Sequence, residues 1–259
     1  MSRERIRVHH TIQSPKITEA LTLAVASDLH TGPFDDVMAD FRNADAILVP
    51  GDLVNRHRRQ YREAARFLRE APKAAPVFYS IGNHERKCAY REEGMRLVAE
   101  RESDVILLDD ESTLFHGIRI GGLSSKADRI ADRAFLDAFE REAEFKLLMC
   151  HHPEMWRDYV RGRNIDFTVC GHAHGGQIQI LGQGLYAPGQ GFFPKLTHGL
   201  HDGGRMMISR GMTNGARAPR INNPCELIIL HLEPKKGDAT NGTGRRAAAG
   251  GLVYEQPGS

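Results

Sequence analysis

With 259 residues, 41% of them hydrophobic, the chain can bury a substantial core in one large domain. Its composition lies near the globular average, which excludes wholesale disorder, a collagen-like build and a continuous coiled coil. Lys plus Arg (35) nearly balance Asp plus Glu (33), and the resulting net charge of +2 gives no support to a general electrostatic grip on nucleic acid.

From the N-terminus, MSRERIRVHHTIQS is basic but lacks the apolar stretch of a signal peptide. No run approaches the ~20 apolar residues of a membrane span. The expectation is a cytoplasmic protein, with peripheral contact at the inner membrane face left open. Short aliphatic runs at 21–26, 46–49, 77–81, 105–108, 118–123, 146–150, 167–170, 206–209 and 227–232 read as buried strands. Between them, 58–71 (RRQYREAARFLREA) sets Tyr61, Ala64, Ala65, Phe67 and Leu68 on one helical face and arginines on the other. Stretches 90–101 and 129–143 predict similar amphipathic helices. Strand and helix alternate early and strands dominate late, so the pattern predicts an α/β protein with two packed sheets covered by helices. The cysteines, Cys88, Cys150, Cys170 and Cys225, contain no C-x-x-C pair, and Cys150 and Cys170 read as buried free thiols. Residues 171–191 carry seven glycines, suited to close backbone approach to a ligand. From 233 to 259 the chain is polar and aperiodic and reads as a flexible tail, leaving 1–232 as the folded domain.

The 13 histidines decide the functional reading, because imidazole binds transition metals and moves protons near neutral pH. Five predicted strands end in polar clusters: Ser27-Asp28-Leu29-His30, Pro50-Gly51-Asp52, Gly82-Asn83-His84-Glu85, His151-His152-Pro153 and Gly171-His172-Ala173-His174. Carboxyl ends of neighbouring strands meet at one sheet edge, where open α/β folds place their ligands. Charge and imidazole at that density need compensation, which metal ions supply. Imidazole, carboxylate and amide oxygen without thiolate suit Mn, Fe, Co or Zn. There are enough groups for two metals sharing one carboxylate, the usual clamp for attack on phosphorus. D-x-H and G-D alone are common pairs; G-N-H and G-H-x-H are rare, and the ordered set is rarer still.

In this order the motifs D-x-H, G-D, G-N-H-E, H and G-H-x-H resemble the calcineurin-like metallophosphoesterase superfamily. The stretches GHAHGGQI (171–178), APGQGFFPK (187–195) and ISRGM (208–212) resemble its bacterial YkuE/YaeI-like phosphodiesterase branch. The resemblance implies a four-layer αββα sandwich with two mixed β-sheets flanked by helices and a site for two divalent metal ions. Asp28, His30 and His174 would hold one ion and Asn83, His151 and His172 the other, with Asp52 bridging both. A hydroxide between the metals would be the nucleophile. His84 would stabilise the phosphoryl group or protonate the leaving oxygen, and Asn83 would border the substrate. The implied substrates are phosphodiesters or pyrophosphates, including nucleotide-linked lipids such as UDP-diacylglucosamine.

Many relatives continue G-D as G-D-x-x-D, whose last Asp orients the G-N-H histidine; here that position is Asn55, which can hold a ring but carries no charge. Arg56 follows, where phosphatase relatives place a phosphate-binding Arg, although it also opens an arginine-rich helix face. His152 reads as a neighbour supporting His151. His198 and His201 either line the substrate groove or are ordinary loop histidines. Arg220 matches a position where the branch usually has Arg and could grip phosphate. His9, His10, His57, His116 and His231 have no assigned partner. The rival readings are a cyclic-nucleotide phosphodiesterase or nuclease on the same metals, with Arg56, Arg58, Arg59 and Arg62 as a local groove, and a protein-binding scaffold that has lost catalysis.

Overall fold

Period-two burial along the strands builds the molecule. The computed structural model describes residues 5–56, 61–87, 104–126, 130–215 and 218–235. The longer strands in chain order are β1 (Ile6–Ser14), β2 (Leu21–Val25), β3 (Ala46–Val49), β4 (Val77–Ser80), β5 (Val105–Leu108), β6 (Glu111–Phe115), β7 (Ile118–Leu123), β8 (Phe145–Cys150) and β9 (Phe167–Cys170). Two small hairpins follow, β10 (Gln179–Ile180) with β11 (Gln183–Gly184) and β12 (Tyr186–Ala187) with β13 (Gly191–Phe192). The chain closes with β14 (Gly199–His201), β15 (Met206–Ile208) and β16 (Glu226–Pro234).

These strands make two six-stranded mixed sheets, ordered β1-β16-β2-β3-β4-β5 and β14-β15-β9-β8-β7-β6. In β8, Phe145, Leu147 and Met149 enter the core between the sheets, while Leu148 and Cys150 face the outer layer. In β2, Leu21, Leu23 and Val25 do the same and Ala24 faces outward. Side chains of successive residues point to opposite faces, so a strand covered on both sides reads as a continuous apolar run.

Three cores result. Phe78, Leu48, Phe145, Phe167 and Ile228 pack between the sheets. Helices Met38–Arg42 and Arg62–Glu70 close the first sheet's outer face with Phe41, Ala64, Phe67 and Leu68. Leu136 and Phe139 of Arg133–Phe139, with Met155, Trp156 and Val160, close the second sheet's outer face. The order of layers is helix, sheet, sheet, helix, the αββα sandwich of the sequence expectation.

All nine predicted strands form. The predicted helix at 58–71 forms as Arg62–Glu70 and that at 129–143 as Arg133–Phe139, each shorter than its periodic stretch. The 90–101 helix lies outside the described residues, as do Cys88, His57, Arg58 and Arg59. Strand β16 runs to Pro234, and residues 236–259 lie outside the described residues. Cys150 and Cys170 are buried and free.

Candidate metal centre

The parallel strands β2, β3 and β4 of one sheet and β8 and β9 of the other deliver five loops to one place. Backbone bonds lock the loops together: Asp28 N donates to Gly51 O (3.2 Å), His30 N to Asp52 O (3.0 Å) and Gly171 N to His151 O (3.0 Å). Side chains arrive through unusual backbone. Asp28, His30, Asp52, His172 and His174 all have positive φ, between 48° and 68°. Non-glycine residues rarely adopt this left-handed region, and those that do concentrate at functional sites. Glycines make the closest passages possible: a methyl on Gly171 would collide with the Asp28 carboxylate, and one on Gly82 with Asp52.

The potential ligand atoms form overlapping groups: Asp28, His30 and His174; His30, Asp52 and His84; Asp52, His151 and His172. Nε2 of His174 lies 3.1 Å from Nε2 of His30 and 3.7 Å from Asp28 Oδ1. Asp52 Oδ2 lies 3.1 Å from His151 Nε2 and 3.9 Å from Nε2 of both His30 and His84, so this one carboxylate faces both ends of the cluster. Asn83 starts the short helix Asn83–Arg86 and is buried. Its Oδ1 and His172 Nε2 are fully buried and make no hydrogen bond among the described residues. A buried polar atom without a partner is costly, and an oxygen and an imidazole nitrogen left open beside a carboxylate suit a divalent cation. Six of the seven residues expected as ligands, Asp28, His30, Asp52, His151, His172 and His174, are thus gathered, while Asn83 is placed only as the buried neighbour of His84, whose amide donates to Asp52.

Burial and mutual charge shape the protonation. Burial opposes ionisation of Asp28 and Asp52, but the surrounding imidazoles win and hold both below the usual carboxylate range. Burial equally opposes charge on His151, yet Asp52, Asp28 and Glu85 push it up to about 10. His30 is raised against its burial by Asp28 and Asp52. Burial lowers His174 to about 3 and pulls His172 well down, the latter helped by His152 and His151. In the metal-free cluster, protons on His151 and His30 therefore balance the two carboxylates.

A supporting layer fixes these groups. His151 Nδ1 meets Pro50 O at 2.8 Å and His30 Nδ1 meets Val54 O at 3.3 Å, which orients each Nε2 inward. Backbone N–H groups of His84 and His172 donate to the carboxylates of Asp52 (2.8 Å) and Asp28 (3.2 Å). His84 Nδ1 accepts the Arg56 backbone N–H at 3.1 Å, so the neutral ring carries its proton on Nε2, toward Asp52. Burial pulls His84 down to about 4 and keeps it neutral. Asn55 donates to Gly215 O at 3.3 Å. Arg220 is buried, with Nη2 3.0 Å from His174 Nδ1 and 2.8 Å from Thr213 O, and so stands behind a ligand. Arg56 is exposed at the rim of the same loop. The His152 ring lies 4.2 Å from that of His172, tilted by 57°, and meets Ser125 Oγ at 3.0 Å.

His198 and His201 are not part of the cluster. His198 meets Thr197 Oγ1 at 2.9 Å and Gln179 Nε2 at 3.0 Å. His201, with Trp156, Phe193 and Lys195, lines a cavity of about 500 Å³ that none of the seven ligand residues lines. Glu85 supports the cluster's loops and has no assigned role in the sequence reading. Fully buried, it accepts from the backbone N–H groups of Gly82, Asp52 and Val54, each at 3.1 Å. Its only sequence signal is its place directly after G-N-H. Asn223, which donates to His174 O at 2.7 Å, had none.

Several bacterial proteins are similar to this chain in sequence. An uncharacterized metallophosphoesterase of Campylobacter jejuni is 26% identical over 241 residues, 87% of this chain and 62% of that relative. One from Helicobacter pylori is 26% identical over 85% of this chain and 62% of its own length. The uncharacterized protein YpbG of Bacillus subtilis is 27% identical over 66% of this chain and 67% of that protein. The chain thus spans about 62% of the Campylobacter and Helicobacter relatives. Among solved structures, TT1561 of Thermus thermophilus aligns with a TM-score of 0.44 at 16% identity, over 59% of this chain and 81% of that one. The calcineurin-like phosphoesterase pattern matches residues 21–176, more than half the chain. Every residue of the Asp and His cluster falls inside that match, and by it the chain belongs to the calcineurin-like phosphoesterases.

Proposed function

We propose that this protein is a metal-dependent phosphohydrolase that cleaves phosphodiester or pyrophosphate bonds with two divalent ions. The carrying observation is the pair of buried ligand groups facing one carboxylate, Asp52, with Asn83 Oδ1 and His172 Nε2 left open. Asp28, His30 and His174 would hold one ion, Asn83, His151 and His172 the other, and Asp52 both. Bound there, the ions supply positive field for the phosphoryl oxygens and acidify water. Asp52, held by the His84 amide, keeps its orientation, and neutral His84 presents Nε2–H for a phosphoryl or leaving-group oxygen. Arg56 at the rim and Arg220 behind His174 add positive charge near the substrate, while His198 and His201 stand farther off.

The finer reading is a nucleotide-linked lipid such as UDP-diacylglucosamine, met by a cytoplasmic protein at the inner membrane face. Among the described residues no helix is long and apolar enough to cross a membrane. The test is metal analysis after Mn reconstitution together with hydrolysis of an aryl phosphodiester. Two ions per chain and activity lost in Asp52→Asn support the reading; metal-free, inactive protein overturns it. A panel of pyrophosphate lipid and cyclic nucleotide separates the substrates.

A further inference from the structure

The hairpins after His174 carry apolar side chains in solvent. Of nine large apolar residues exposed among the described residues, Ile180, Leu181, Tyr186, Phe192 and Phe193 lie here, and a sixth, Ile221, lies on the loop bridged to Ile178. Leu181 is fully exposed, Phe192 is 73% exposed and Phe193 67%. Single exposed apolar residues are ordinary, whereas a gathered set marks an interaction surface.

Hydrogen bonds and one ring contact tie the segments that carry them together. The rings of Tyr186 and Phe192 lie 5.6 Å apart across β12 and β13. Phe193 N donates to Leu185 O (2.9 Å), Gln183 Nε2 to Pro194 O (2.8 Å) and Gln179 N to Ile221 O (3.0 Å). Two of the residues also contradict local turn chemistry. Leu181 and Phe193 have φ of 50° and 53°, where turns favour Gly or Asn. A bulky apolar side chain held in a strained turn and left in water gains nothing for folding, and such conflicts point to function.

Charge indicates the partner. Asp202 is the only acidic residue between Asp166 and Glu226. Exposed Lys195 lies two residues after Phe193, and Arg157 and Arg161 line the cavity beneath it. Arg157 pairs with Asp158 and Arg161 with Asp202, so the local balance stays positive through Lys195. Apolar tips beside a net positive charge, carried by Lys195, complement an anionic bilayer. The hairpins are also fixed to the site: Gln179 Nε2 donates to Gly175 O (2.9 Å), next to His174.

We propose that this rim docks the protein on an anionic lipid bilayer. The bilayer then stands beside the metal-binding loop, which deepens the lipid-phosphate reading above and, for the substrate alone, rests on it.

The full chain is sedimented with phosphatidylcholine vesicles containing phosphatidylglycerol and with phosphatidylcholine alone. Wild type is expected to bind the anionic vesicles preferentially, and the combined Leu181→Asp, Phe192→Asp and Phe193→Asp variant to lose at least about tenfold in partitioning. Lys195→Glu is expected to remove the anionic preference. An unchanged unfolding temperature and retained hydrolysis of the soluble diester show that the triple variant is folded. Wild type remaining in the supernatant, or the triple variant binding as wild type does, overturns the proposal. So does a dimer, seen by light scattering, that the triple variant dissolves, because the rim would then belong to a second copy. Vesicle binding by a protein without hydrolase activity would overturn the proposed function and leave the docking intact.

Discussion

Five of the seven proposed ligand residues adopt left-handed backbone, at a cost of about 1–3 kcal/mol each. The interlocked loops hold them there, and Glu85 is central because three backbone N–H groups point at its carboxylate. Glu85→Ala leaves those buried donors open and is expected to destabilise the fold by about 3 kcal/mol in chemical denaturation, with weaker metal binding. Glu85→Gln, which keeps an acceptor oxygen, should recover part of both. Metal uptake should also displace protons. His151, raised to about 10 by its carboxylate neighbours, is charged in the empty site and must be neutral to bind an ion. Apparent affinity is therefore expected to rise with pH by about tenfold per unit for each proton displaced, up to that value. Metal titrations by calorimetry in buffers of different ionisation enthalpy would show the released protons; pH-independent affinity would contradict the assignment of His151.

At the scale of elements, the apolar runs were legible because central strands are covered on both faces and read as near-continuous hydrophobic sequence. In the two large sheets, the strands that escaped, β1, β6 and β14, are all edges. In β6, ESTLF, no residue is fully buried, and β1, IRVHHTIQS, is half-exposed along most of its length, so neither shows a buried-strand pattern. His9 and His231, unassigned in sequence, turn out to be neighbours across β1 and β16, stacked 5.4 Å apart. The ligand cluster was legible because its residues follow strand ends directly. Glu85 and Asn223 act through backbone amides and carbonyls, a role that residue type alone does not announce. Helix Arg62–Glu70 offers a clean test of layer independence. Phe67 packs edge-on against Phe34 (5.1 Å) and Phe41 (5.8 Å) on the face away from the second sheet. Phe67→Ala is expected to cost about 3–5 kcal/mol of stability while leaving metal affinity in the folded protein unchanged.

For the molecule as a whole, the sandwich places its site where two sheets end together, and the core between them depends on both. Ending the chain after Lys235 is expected to leave the unfolding temperature and metal binding intact, since β16 closes at Pro234. Ending it after Cys225 is expected to give a chain that proteases digest throughout. Strand β16 lies between β1 and β2, parallel to the first and antiparallel to the second. During synthesis, then, β1 waits without its neighbour until β16 emerges, more than 200 residues later. The sheet carrying Asp28 and Asp52 is sealed only once β16 has emerged, and long-range closure of this kind makes folding slow. A nascent chain released early would hold its histidines and carboxylates on unsealed loops, open to whatever ions the cell offers before the sandwich can select among them.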